Sequence, residues 1–158
     1  MSEISQLFKS ELTFESDAKT KEEVFKNIGN YLQEKGYVTE EFTQEIIKRE
    51  DNYPTGLDLS LVSPDISNVA IPHTETEYCL TNNIVLVKLK NTLPFYNMIK
   101  PDQELDVKYL FIIINSNKTA QTDVLSGLMD YFTNEQNMKH IDKLNDVQEI
   151  YQYIKKNI

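Results

Sequence analysis

Helical spacing near both ends of the chain, with β-branched and aromatic runs between them, predicts an α/β sandwich. Its core would be a mixed parallel and antiparallel sheet of roughly five strands, flanked by helices on both faces. Three stretches carry this prediction. Val24, Phe25, Ile28, Tyr31 and Leu32 recur at helical intervals, VKYLFIII at 107–114 is a continuous apolar run, and the tail returns to helical spacing at Val147, Ile150, Tyr151 and Ile154.

In chain order, Leu12 and Phe14 alternate with polar residues in ELTFES and predict a short strand. The first helix follows over 20–35, opened by the capping box Thr20-x-x-Glu23 and closed by Gly36. A second helix is predicted from Thr39, with Phe42, Ile46 and Ile47 inward, ending near Arg49 and Glu50 before the turn DNYPTG. Strands are then expected at VAIP, at IVLVKLK (84–90) and at VKYLFIII, the last doubly buried at the sheet centre. Val124, Leu125, Leu128, Met129 and Phe132 define a further helix after NSNKTA, and the tail from Asn145 forms the final one. With no repeat, low-complexity tract or linker, residues 1–158 are expected to form one domain.

Composition limits the function. The chain carries 25 acidic and 16 basic residues, a net charge of -9. That balance argues against nucleic acid and anionic membranes as partners and favours a basic protein. No run of about 18 apolar residues could span a bilayer, and the polar N-terminus lacks the blocks of a secretory signal, so a cytoplasmic location without membrane insertion is expected. Cys79 is the only cysteine and lies among acidic neighbours, which fits an inert thiol.

Four glycines, at 29, 36, 56 and 127, cannot spell GxxxxGK[ST] or GxGxxG, and two histidines, His73 and His140, lack the spacings of a zinc site. No cofactor and no metal are expected. What remains is His73, in NVAIPHTETE. A neutral imidazole attacks phosphorus well and can carry a covalent phosphoryl group, and Arg49 could grip that group in bidentate fashion. From residues alone, a strand-end histidine reads more readily as structural, and Arg49 as a cation favoured at a helix C-terminus.

Two stretches together reverse that order. KREDNYPTGL (48–57) followed by VAIPHTE (69–75) resembles the paired signature of IIA components of the bacterial sugar phosphotransferase system (PTS), in the fructose–mannitol superfamily. LPFYNM, VKYLFIII and TAQTDVLSGLMDYF extend the resemblance over most of the chain. It implies the PTS IIA type-2 fold and a phosphotransferase role. His73 would accept a phosphoryl group from the carrier HPr and pass it to a IIB cysteine, and so to a sugar at the membrane IIC component. Arg49 would help to hold the phosphoryl group.

Where relatives commonly place a second histidine, this chain has Gln121, which can donate a hydrogen bond to phosphate but cannot titrate. Gln121, and Asn-Val before Ala70, are similar to the galactitol-type IIA proteins. Glu50 reads either as a solvated helix-end acid or as the residue that orients Arg49. Thr55 reads first as a turn former and second as a phosphate contact. His140 matches no functional position. The alternative is a regulatory IIA-like module of the nitrogen-related type, whose phosphorylation state would govern a transcription regulator or transporter. The sugar and the oligomeric state are not readable from the sequence.

Overall fold

The computed structural model describes residues 3–158, apart from the side chains of residues 119 and 120. Five strands, β1 (Phe8–Ser16), β2 (Gly56–Leu57), β3 (Asn68–Ala70), β4 (Asn83–Tyr96) and β5 (Glu104–Ile114), join in the order β1-β4-β5-β3-β2. β1 runs parallel to β4 and β3 parallel to β5, while β4–β5 and β2–β3 are antiparallel. The sheet is therefore mixed, as the sequence predicts. Helices α1 (Lys21–Glu34) and α2 (Phe42–Asn52) cover one face, and α3 (Lys118–Phe132), α4 (Glu135–Lys143) and α5 (Val147–Asn157) cover the other.

The central strand explains the two layers. Side chains alternate across a strand, so Leu110, Ile112 and Ile114 of β5 join the core under α1 and α2, while Tyr109, Phe111 and Ile113 join the core under α3 to α5. Phe111 sits edge-on between Phe8 and Phe132, with ring centroids 6.2 and 4.8 Å away. All six residues from Tyr109 to Ile114 are buried, which is why this strand reads as an unbroken apolar run.

Local signals account for α1. The Thr20 hydroxyl accepts from Glu23 N at 3.1 Å, and the Glu23 carboxylate reaches back to Lys19 N at 3.1 Å. At the far end Gly36 has φ +82°, and Tyr37 N and Gly36 N donate to the carbonyls of Leu32 (2.9 Å) and Gln33 (3.1 Å). This is a Schellman closure, which a left-handed residue makes possible. The edge strand β1 is guarded by side chains that occupy its carbonyls. Lys155 Nζ donates to Phe8 O (3.1 Å), Gln148 Nε2 to Ser10 O (3.2 Å) and Tyr31 OH to Glu11 O (3.3 Å).

Several boundaries differ from the sequence prediction. α2 begins at Phe42 rather than Thr39. Residues 37–39 are drawn instead into pairing with 78–80, through Thr39 N to Tyr78 O (3.0 Å) and Leu80 N to Tyr37 O (3.0 Å). β4 continues past residue 90 to Tyr96, with a register shift between Lys88 and Leu93, and β5 starts at Glu104 rather than 107. α4 is an additional helix that the sequence reading does not predict. Asn134 caps it by accepting from Gln136 N at 3.0 Å, and Met138 and Ile141 are its two buried residues.

Gly56 shows why the Pro-Thr-Gly turn requires glycine. A Cβ there would lie 2.6 Å from the Tyr96 carbonyl oxygen, because β2 approaches the end of β4 closely enough for Met98 N to bond Gly56 O at 2.8 Å. Replacing Gly56 with Ala forces two backbone segments apart, so urea denaturation is expected to show a loss of about 1–3 kcal/mol. An unchanged midpoint would contradict this packing.

Candidate functional site

The site begins with α2's last turn, where Arg49 and Glu50 point to different sides. Glu50 turns inward and is buried. Its two carboxylate oxygens accept from Thr55 N and Thr55 Oγ1, both at 2.7 Å. The expectation of a solvated acid is thereby corrected: Glu50 is buried and fastens the turn after α2. Burial pushes its pKa up, against the downward pull of the two Thr55 hydrogen bonds. Thr55 is buried as well, with its hydroxyl committed to Glu50, so it occupies the turn-forming role.

From Thr55 the restraint passes across the sheet edge. Ile71 N donates to Thr55 O at 3.2 Å, and Ile113 N of β5 donates to Pro72 O at 3.0 Å. The segment after β3 is thus held on both sides. Pro72 has no N–H to leave unpaired there. His73 follows, half-buried, with its Nδ1 2.8 Å from Ile71 O. A carbonyl only accepts, so Nδ1 carries the proton and the lone pair of the neutral ring lies on Nε2.

Burial holds the His73 pKa below its ordinary value, and the Arg49 charge pushes the same way, while the Ile71 hydrogen bond and Glu75 oppose it. These influences favour the neutral ring, with its lone pair on Nε2.

Arg49 donates through Nη1 to Glu75 Oε1. Its guanidinium carbon lies 5.1 Å from the Tyr53 ring centroid, and its Nε is buried with no hydrogen-bond partner among the described residues. Arg49, Glu75, Lys48, Tyr53 and Tyr78 line a cavity of about 140 Å³. Glu45 also lines it, and the carboxylates of Glu45, Glu77, Glu41 and Glu75 all act on Tyr78.

Gln121 lies in the first turns of α3, half-buried. α3 follows β5, whose Ile113 bridges His73, so the topology brings this helix start to the His73 end of the sheet. Cys79 is buried 3.5 Å from Thr74 Oγ1 with its pKa raised, first by burial. His140 stacks on Tyr153 at 3.9 Å, at the far side of the second core. Sequence reasoning did not single out Glu75 or Tyr53. The available signal for Glu75 was the acidic alternation TETE, because an extended chain places residues two apart on one side.

The family model for the phosphoenolpyruvate-dependent sugar phosphotransferase system, EIIA 2, matches residues 5–157. The chain belongs to this family. It is 30% identical over 106 residues to the galactitol-specific EIIA component of Escherichia coli, covering 67% of each chain. It is 26% identical over 145 residues to the mannitol-specific EIICBA component of Buchnera aphidicola, covering 89% of this chain and 21% of that one, so it spans about a fifth of that longer protein.

Its fold matches the mannitol-specific cryptic phosphotransferase enzyme IIA CmtB of Escherichia coli, with TM-score 0.76, 18% identity and coverage of 99% and 100% of the two chains. It also matches the Escherichia coli mannitol enzyme IIA solved in complex with phosphorylated enzyme IIB, with TM-score 0.70, 21% identity and coverage of 94% and 98%.

NMR titration of the two histidines should give His73 a midpoint below about 6.5, the unperturbed value. As pH falls below about 6.5 the unfolded chain takes up this proton before the folded chain does, so stability falls with pH through that window. A His73 midpoint at or above the unperturbed value would contradict the assigned environment.

Proposed function

We propose that the chain is the IIA phosphocarrier of a sugar phosphotransferase system: His73 accepts a phosphoryl group from phospho-HPr and passes it to a IIB cysteine. The observation that carries this reading is the Nδ1–Ile71 carbonyl bond, which leaves the Nε2 lone pair for in-line attack. In the first transfer the donor's N–P bond breaks, its imidazole keeps the electron pair, and a new N–P bond forms at Nε2. Charge spreads over the equatorial phosphoryl oxygens in a loose transition state. Arg49 supplies the compensating positive potential, and Gln121 is assigned a hydrogen bond to a phosphoryl oxygen. Glu50 and Thr55 act behind them by fixing the loop that carries His73.

Transfer onward reverses the step toward a thiolate, and the acceptor supports uptake of a hexitol of galactitol type through a membrane IIC component. The galactitol relative and Gln121 favour this substrate class. The site works as a single domain in the cytoplasm. No helix among the described residues is long and apolar enough to cross a membrane. The acidic rim suits a partner with basic side chains, and the Arg49 cation below it suits the phosphoryl group that this partner delivers. The regulatory alternative shares the first transfer and lacks the second, so delivery to a IIB cysteine separates the two.

Incubation with phosphoenolpyruvate, enzyme I and HPr should add one acid-labile phosphoryl group by intact mass, lost in His73→Ala; an undiminished adduct on that variant would remove the central claim. Arg49→Ala should keep the fold and slow transfer by about a hundredfold, the scale of losing one preorganised charge-stabilising donor. An unchanged rate would strip Arg49 of its role. The rate of encounter with HPr should fall as salt rises, and a flat dependence would refute steering by the rim.

A further inference from the structure

Arg49 presents an unusual balance for a residue at the mouth of a cavity. Its side chain is only 31% exposed, its Nε meets no partner among the described residues, and its Nη1 is committed to Glu75. The Tyr53 ring lies beside the guanidinium, its centroid 5.1 Å from the guanidinium carbon. A partly buried cation without a counter-charge is costly, and Glu75 is the carboxylate bonded to it. Glu75 stands two residues beyond His73, with φ -62° and ψ 150°, and its own side chain is 56% exposed. More than half of the Glu75 side chain thus already faces solvent, which leaves it room to swing outward.

The same carboxylate also acts on His73, with a sign opposite to that of Arg49. A phosphoryl group at Nε2 brings about two negative charges and three acceptor oxygens beside it. Carboxylate and phosphoryl group would then compete for one planar fork, and like charges would repel.

We propose that Glu75 is the resident counter-ion of Arg49, displaced by the arriving phosphoryl group, and that it thereby sets how strongly His73 retains that group. This rests on the phosphocarrier reading above. No covalent bond changes in the exchange: an N–H···O contact to carboxylate is replaced by one to phosphoryl oxygen. Glu75 keeps the empty cavity neutral, and it weakens the hold on the phosphoryl group enough to favour passing it on.

The test equilibrates wild type, Glu75→Gln and Glu75→Asp with enzyme I, HPr and limiting phosphoenolpyruvate, and measures both phosphoproteins by intact mass. Glu75→Gln keeps the size and removes the charge, so the equilibrium constant for transfer from phospho-HPr should rise about three- to fivefold, the scale of a partly exposed ion pair. Glu75→Asp, which keeps the charge, should stay within about twofold of wild type. A constant in Glu75→Gln that is unchanged or lower, with wild type phosphorylated normally, overturns the role of Glu75 alone. A wild type that takes up no phosphoryl group overturns the phosphocarrier reading itself, and this inference with it. A merely structural contact would lower the melting temperature of both variants and leave the constant where it was, which also counts against the proposal.

Discussion

The site depends on one sequence of hydrogen bonds that begins at a buried carboxylate and ends at an imidazole. Glu50 holds Thr55, the Thr55 carbonyl holds Ile71 N, and the Ile71 carbonyl holds His73 Nδ1. Each bond fixes the position of the next group, and together they tie the end of α2 to the edge of the sheet. Burying Glu50 has a desolvation cost, offset by two short bonds to a single residue. The central strand supplies the opposing restraint through Ile113 and Pro72. The position of the His73 ring is thus set by the scaffold, which is what the proposed transfer would require of it.

Electrostatics in the site are layered. Nearest the ring, burial and Arg49 keep His73 neutral. Around Tyr78, on the wall of the Arg49 cavity, lie Glu41, Glu45, Glu75 and Glu77, part of the excess that gives the chain its net charge of -9. A cation set among carboxylates is an arrangement that can attract a basic partner while still offering a positive group to an anion. Within the cavity Arg49 and Glu75 form an ion pair.

Much of this was legible in the sequence. Thr20, Glu23 and Gly36 are local signals and fixed α1, and the apolar run at 107–114 fixed the central strand. Residues 48–57 and 69–75 identified the family through order and spacing. What was missed depended on non-local pairing. Thr39 is pulled out of the helix by Tyr78, a partner far along the chain. β4 reaches Tyr96 because its partner strand continues to Glu104. Glu50 stayed open between a solvated acid and a residue orienting Arg49 because nothing in KRED reveals which side of the helix end faces Thr55. Arg49 was read without its counter-ion, since an ion pair between residues 49 and 75 exists only once the turn and β3 have brought them together.

With Nδ1 protonated and fixed by Ile71, Nε2 of His73 is the proposed phosphoryl acceptor. The most direct measurement is nitrogen–phosphorus correlation NMR on ¹⁵N-labelled, phosphorylated protein. The account predicts a single phosphoramidate whose phosphorus couples to Nε2 of His73, with Nδ1 still protonated. Phosphorus on Nδ1, or on any other residue, would contradict it.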